Sequence, residues 1–113
     1  MTEKVTIHRQ DGLPMPLIYL RTAEDLADWY VGQMAWALEH GERELTVSCF
    51  DTAGMGYEVG RAAYTVLKAL TDFLYDHPEV DALRIMCGDE TAHRAYSFHW
   101  NMWYAPHKPE HHH

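Results

Sequence analysis

Strand-like and helix-like segments alternate along most of the chain, and this alternation is the feature that most constrains the fold. Helices are predicted at residues 22–40, about 58–77 and about 91–104, and buried strand-like runs at 44–50 and 82–87 separate them. Strands that alternate with helices favour a mostly parallel sheet covered on both faces. We therefore predict one α/β domain built as a three-layer α/β/α sandwich.

End signals and apolar spacing define the predicted helices. Thr22 is a suitable N-cap with Asp25 three positions later, and Gly41 suits the position just past the end of the first helix. Pro78 stops the second helix. Its inward stripe consists of Val59, Ala62, Ala63, Val66, Leu67, Leu70, Phe73 and Leu74.

Two short runs before the first helix are also predicted to be strands. They are Val5–His8 and Leu17–Leu20, and a turn or loop containing glycine and prolines lies between them at residues 11–16. The predicted order is β-β-α-β-α-β-α.

Charge and composition exclude several classes of protein. The chain has 113 residues and a formal net charge of −8, which argues against binding to nucleic acid or to an anionic membrane. No apolar run approaches the roughly 20 residues of a membrane span, and the polar residues after Met1 argue against a signal peptide. We expect a cytoplasmic protein with one domain at residues 1–110, followed by the end of a purification tag at 111–113.

The cysteines and histidines give no pattern typical of a metal site. Cys49 and Cys87 lie in separate apolar segments and are interpreted as reduced core thiols, although a catalytic thiol beside a histidine or a helix N-terminus stays open. There is no H-x-x-x-H and no C-x-x-C spacing. We expect no metal and no cofactor, and we interpret Asp89 and Glu90 as acidic residues at a helix start.

The best candidate site is the glycine-containing loop at residues 51–57, which joins the predicted strand at 44–50 to the predicted helix that begins at about residue 58. Ligands of parallel sheets bind outside the carboxyl ends of the strands, and Gly54 and Gly56 allow several N–H groups to point at one phosphate at a helix N-terminus. A tight connection that needs glycine only for geometry is the alternative, and the Asp51 carboxylate opposes a phosphate unless Arg61 or solvent neutralises it. The candidate ligand-binding residues are Asp51, Thr52, Ala53, Gly54, Met55, Gly56, Tyr57, Gly88 and Asp89.

Residues 45–58 resemble a segment of the macrodomain family. They read L-T-V-S-C-F-D-T-A-G-M-G-Y-E, and the family segment reads roughly I-A-F-P-A-I-S-T-G-I-Y-G-Y-P. Phe73-Leu74, the run H-P-E-V at 77–80 and an acidic turn after residues 83–87 follow in family-like order and spacing. The resemblance covers about residues 23–96.

The resemblance implies an α/β/α sandwich related to ADP-ribose-binding modules, with this loop around the diphosphate and distal ribose. Thr52, Gly56 and Tyr57 match the family pattern. The chain departs from it at Asp51, Ala53, Gly54, Glu58 and Gly88. The family's adenine-contacting Asp and its Asn-Ala-Ala-Asn segment have no counterpart here, so the chain is similar to the C-terminal half of a truncated macrodomain.

Three functions follow from these observations. The first is a module that binds a nucleotide or phosphate ligand, such as ADP-ribose, at residues 51–58. The alternative is a non-catalytic structural or protein-interaction domain with a decayed pocket. A hydrolase acting on ADP-ribosyl or phosphate groups ranks last because no Asn-rich catalytic segment exists, and no catalytic residue is identified.

We also predict a homodimer. A sheet that lacks early strands leaves an open edge, which the two N-terminal runs could cover within one chain or between two chains. The aromatic residues of the last predicted helix could form a dimer core. These residues are Trp100, Trp103 and Tyr104. Intramolecular packing of the same residues would instead give a monomer.

Overall fold

The elements of the structure alternate as predicted and lie close to their predicted positions. The structure is a computed structural model that describes residues 4–14, 22–49 and 58–103, the last by its main chain only. The elements are β1 (Val5–Arg9), α1 (Ala23–Glu39), β2 (Glu44–Ser48), α2 (Val59–Asp76), β3 (Ala82–Cys87) and α3 (Glu90–Trp103). The predicted strand at Leu17–Leu20 lies outside the described residues.

The three described strands form one parallel sheet in the order β1-β3-β2. In the middle of the sheet, Ile7 and Val47 both pair with Ile85. The predicted α/β class with a parallel sheet is therefore confirmed, and β3, the last of the three described strands in the sequence, lies between the other two.

The predicted end signals of α1 operate as expected. Asp25 N donates to Oγ1 of Thr22 at 3.1 Å, which satisfies one of the free N–H groups of the first turn. After the helix, Gly41 has a φ of +86°, a left-handed conformation that glycine adopts without a steric penalty. The hydrogen bond to Thr22 marks the start of the helix, and the left-handed conformation of Gly41 marks its end.

A single core joins all three helices to one face of the sheet. Alternate strand residues point into it, because side chains along a strand alternate between the two faces. The largest fully buried side chains of the core include Leu26, Tyr30, Met34, Leu45, Leu67, Leu70, Leu74, Leu83 and Ile85. The carboxyl ends of β2 and β3 lie beside this core.

The opposite face of the sheet is polar and open among the described residues. Thr6, His8, Thr46 and Ser48 are exposed on it, and Arg84 of the central strand is half-buried. The described residues thus form two of the three predicted layers, and helices on the second face are not among them.

Candidate functional site

The carboxyl ends of all three described strands meet at one edge of the sheet, which we call the carboxyl-end edge. Backbone hydrogen bonds extend the ladder there: Gln10 N donates to Cys87 O at 2.9 Å, and Cys49 N donates to Met86 O at 3.0 Å. Gly12 N donates to Gly88 O at 3.2 Å, so the turn after β1 is tied to the turn after β3. This is the edge where parallel sheets bind ligands.

Gly88 and Asp89 lie at the carboxyl-end edge, as the candidate site requires, and both have structural contacts. Gly88 is buried. Ala92 N donates to Oδ1 of Asp89 at 2.8 Å, so Asp89 caps α3 and the prediction of an acidic helix start is confirmed. The other candidate residues, 51–57, lie outside the described residues.

A group of charged side chains surrounds the start of α3, and its charges are paired with each other. Arg9 donates to both carboxylate oxygens of Asp11, at 2.7 and 3.0 Å, and it lies 3.5 Å from Glu90. Hydrogen bonding to Arg9 holds the pKa of Asp11 below its usual range. Arg94 pairs with Glu90 at 2.7 Å. Because these charges neutralise one another, this corner has little remaining attraction for an anion.

The two cysteines meet at the carboxyl-end edge. Their Sγ atoms lie 3.3 Å apart, and both residues are buried free thiols, as the sequence predicts. Tyr30 closes the same region, because its hydroxyl donates to Ser48 O at 2.7 Å. The contact between the two thiols is a feature that the sequence analysis did not anticipate.

A cleft of about 460 Å³ opens at the first turn of α2, directly after residues 51–57. Its lining consists of Glu58, Gly60, Arg61, Tyr64 and His99. Among the described residues, no side chain caps the start of α2, and the first turn of the helix holds no acidic residue. The described side chains therefore leave the N–H groups of that turn without a partner, and the helix dipole favours an anion there.

The lining residues differ in how far they are already paired. Arg61 is exposed and makes no ion pair with any described residue. Nδ1 of His99 is buried, and the described residues offer it no hydrogen-bond partner. The Glu58 carboxylate lines the same cleft, and it lies 3.1 Å from the position that a Cβ on Gly60 would occupy. Within the part of the chain that the structure describes, the cleft thus contains a cation without an ion pair, a buried ring nitrogen without a partner and a carboxylate that opposes an anion.

Comparison with known proteins bears on the fold. No protein-family model matches the chain. The crystal structure of a Trypanosoma brucei macrodomain in complex with ADP superposes with a TM-score of 0.62, at 24% sequence identity, over 69% of this chain and 34% of that one. The fold is macrodomain-like. The matched part spans about a third of the trypanosome chain, and assignment to a C-terminal half stays a prediction.

The macrodomain-like chain shows neither a metal cluster nor a membrane span in its described part. Residues 4–14, 22–49 and 58–103 bring together no group of three or more His, Cys, Asp or Glu that could hold a metal ion. None of the helices in these ranges is long and apolar enough to cross a membrane.

Sequence reasoning missed most of the cleft in this macrodomain-like fold. It noted Arg61 only as a neutraliser of Asp51, and it gave no role to Tyr64 or His99. The signal available was Gly60-Arg61 with Tyr64 one turn further along, which places a small residue, a cation and an aromatic ring on adjoining positions of one helix. His99 carried no such signal because it comes from another helix.

Proposed function

We propose that this macrodomain-like protein binds a nucleotide or other phosphate-bearing ligand of the ADP-ribose kind at the carboxyl-end edge. The site consists of residues 51–58, the cleft at the first turn of α2, and Gly88 with Asp89. The observation that carries the proposal is that the described residues offer no ion pair to the Arg61 guanidinium and no side-chain cap to the first turn of α2, both of which belong to the same cleft. The likeness in fold to a macrodomain that was solved with ADP supports the choice of ligand class.

Each part of the cleft matches a part of such a ligand. A guanidinium and helix N-terminal N–H groups are suited to phosphate oxygens. The Tyr64 ring offers an aromatic surface, and the His99 ring lies beside it in the lining of the cleft. The Glu58 carboxylate repels the phosphate, so we expect weaker binding than the guanidinium alone would give.

Titration calorimetry of the full chain with ADP-ribose tests the proposal. We expect heat from binding at a single site, and no heat at millimolar ligand would remove ADP-ribose as the ligand. A parallel titration with inorganic phosphate shows whether the glycine-containing loop binds the anion without the nucleoside. Gly56→Glu is expected to abolish binding because the glutamate side chain would fill the predicted phosphate site in that loop.

Arg61→Ala provides the matched test of the cleft. The loss of a charge-assisted hydrogen bond to phosphate weakens affinity about tenfold or more. Arg43→Ala is the control, because Arg43 is also exposed but precedes β2 at the other end of the sheet. Equal affinity of the two variants would place the ligand elsewhere on the protein.

A protein-interaction domain is the second candidate function. Phe98 and Met102 of α3 lie one turn apart and are 54% and 53% exposed. Two exposed apolar side chains on one helical face are suited to contact with another protein.

A further inference from the structure

The buried thiol pair at the carboxyl-end edge is placed by the sheet itself. Ser48 pairs with Met86 in the parallel register, and the hydrogen bond from Cys49 N to Met86 O carries the ladder one residue further. Cys49 and Cys87 therefore lie side by side on neighbouring strands. Both side chains point into the core, with exposures of 2% and 0%.

This placement matches the geometry that a disulfide needs. Neighbouring strands lie about 4.8 Å apart, and the Cα atoms of bonded cysteines lie about 4.4–6.8 Å apart. The two Sγ atoms are already 3.3 Å apart, so small side-chain rotations bring them to bonding distance. We propose that Cys49 and Cys87 form a reversible intramolecular disulfide when the protein meets a peroxide.

The two thiols have different roles in the reaction. A hydrogen bond joins the two thiols, and either sulfur can be its donor. Donated by Cys49, this bond lowers the pKa of Cys87, and the bond together with burial raises the pKa of Cys49. We therefore assign Cys87 as the sulfur that reacts first, because the thiolate is the nucleophile, and the single variants described below test this order. Cys49 is the resolving thiol.

The oxidation takes two balanced steps with hydrogen peroxide as the oxidant. The Cys87 sulfur attacks one peroxide oxygen, an S–O bond forms, the O–O bond breaks, and the leaving hydroxide takes the thiol proton as water. The Cys49 sulfur then attacks the Cys87 sulfur, the S–S bond forms, and the hydroxide that is expelled takes the Cys49 proton as a second water. Two electrons pass from the sulfurs to peroxide.

The position of the pair connects it to the candidate ligand site. Cys49 lies two positions before the candidate segment 51–57, and Cys87 directly precedes Gly88. The disulfide would tie together the strand ends from which both parts of the site extend. An effect of oxidation on ligand affinity rests on the proposed function, whereas formation of the disulfide does not.

Thiol titration and peptide mass mapping measure the reaction directly, because the chain has only two cysteines. The full chain is treated with hydrogen peroxide, catalase removes the excess, and free thiols are counted in denaturant. We expect both thiols to disappear, the Cys49 and Cys87 peptides to be joined with the loss of two hydrogen atoms, and dithiothreitol to restore both thiols. Oxygen atoms gained by the six methionines are assigned separately in the same map. We expect the folded protein to react more slowly than an unfolded control, because peroxide reaches the buried thiols only when the core opens transiently.

Three outcomes would overturn the proposal. They are survival of both thiols when the unfolded control is oxidised, a gain of oxygen atoms on Cys49 or Cys87 themselves in place of the loss of two hydrogens, and disulfide-linked dimers on a non-reducing gel. Single variants test the order of the steps: Cys49→Ser should leave a sulfenic acid on Cys87 that dimedone captures, and Cys87→Ser should leave Cys49 much less reactive.

Calorimetry with ADP-ribose on the oxidised and the reduced protein separates this proposal from the proposed function. If neither form binds ADP-ribose, the result counts against the proposed function and does not affect the proposal that the disulfide forms. Binding by both forms with equal affinity leaves both proposals standing and removes only the link between them.

Discussion

At the scale of single residues, Tyr96 couples the stability of the protein to alkaline pH. Its side chain is 3% exposed, and burial raises its pKa well above the ordinary value of 10.0, with Tyr30 and the two thiols adding to the shift. Below about pH 10 the hydroxyl is neutral in both the folded and the unfolded state. Above that pH the unfolded chain loses the proton first, so stability falls as pH rises.

Tyr96→Phe removes this titration. We expect the free energy of unfolding to fall less steeply above about pH 10, with a difference in slope of at most about 1.4 kcal/mol per pH unit. Urea unfolding at a series of pH values measures how the free energy of unfolding changes with pH. We compare this slope between wild type and variant, because the substitution can also change the absolute stability. Tyr75→Phe is the control because Tyr75 is 76% exposed; parallel curves for wild type and Tyr96→Phe would contradict the argument.

At the scale of secondary structure, two glycines of the α1 region should respond to alanine in opposite directions. Gly32 lies inside α1, and an added Cβ meets nothing within 4 Å. Gly32→Ala should therefore stabilise the protein by roughly 0.5–1 kcal/mol. At Gly41 the φ of +86° strains any residue with a Cβ, so Gly41→Ala should cost about 1 kcal/mol.

Urea unfolding of the two variants checks the pair, and each variant is the control for the other. A raised midpoint for Gly41→Ala would show that the backbone conformation at residue 41 does not decide the outcome, and a lowered midpoint for Gly32→Ala would contradict the expected gain inside α1.

The elements were predictable because their signals are local. The Thr22 cap, Gly41 and Pro78 mark helix ends through contacts with near neighbours in the sequence. The order of the strands was not predictable. The alternation of apolar and polar residues along a strand shows which face of the sheet each residue occupies, but it does not show which strand lies beside it.

The candidate site could be predicted only in part, and the reason is again the range of the signals. The cap made by Asp89 is local and was predicted. The Cys49–Cys87 contact joins residues 38 positions apart, and the cleft joins His99 to the first turn of α2. Both arise from packing between elements, which one sequence does not encode in its spacing.

At the scale of the whole molecule, the homodimer stays a prediction, and the exposed apolar side chains of α3 are the surface on which we test it. Trp100 packs partly against the core, whereas Phe98 and Met102 are exposed, and the predicted interface residues Trp103 and Tyr104 have no described side chains. We expect light scattering at micromolar concentration to give twice the chain mass of 13.1 kDa. A mass of one chain would contradict the dimer.

Met102→Glu tests the surface itself. The introduced carboxylate stays in water in the single chain and would be buried without a partner only in the dimer, where burial is unfavourable. The variant should therefore be a folded monomer. Tyr75→Glu, a change of the same kind at an exposed site on α2, should remain a dimer. A dimer that survives Met102→Glu would place the interface on another face, such as the open polar face of the sheet.

The central place of β3 also sets the order of events while the protein is being made. Val5 and Leu45 both pair with Leu83, so β1 and β2 hydrogen-bond to β3 and not to each other. The ribosome adds residues 82–87 after both outer strands have been synthesised. Until then each outer strand has unpaired N–H and C=O groups and no described neighbour to bond. A chain that stalls before Ala82 should therefore be a substrate for chaperones or proteases, however well its first two helices form.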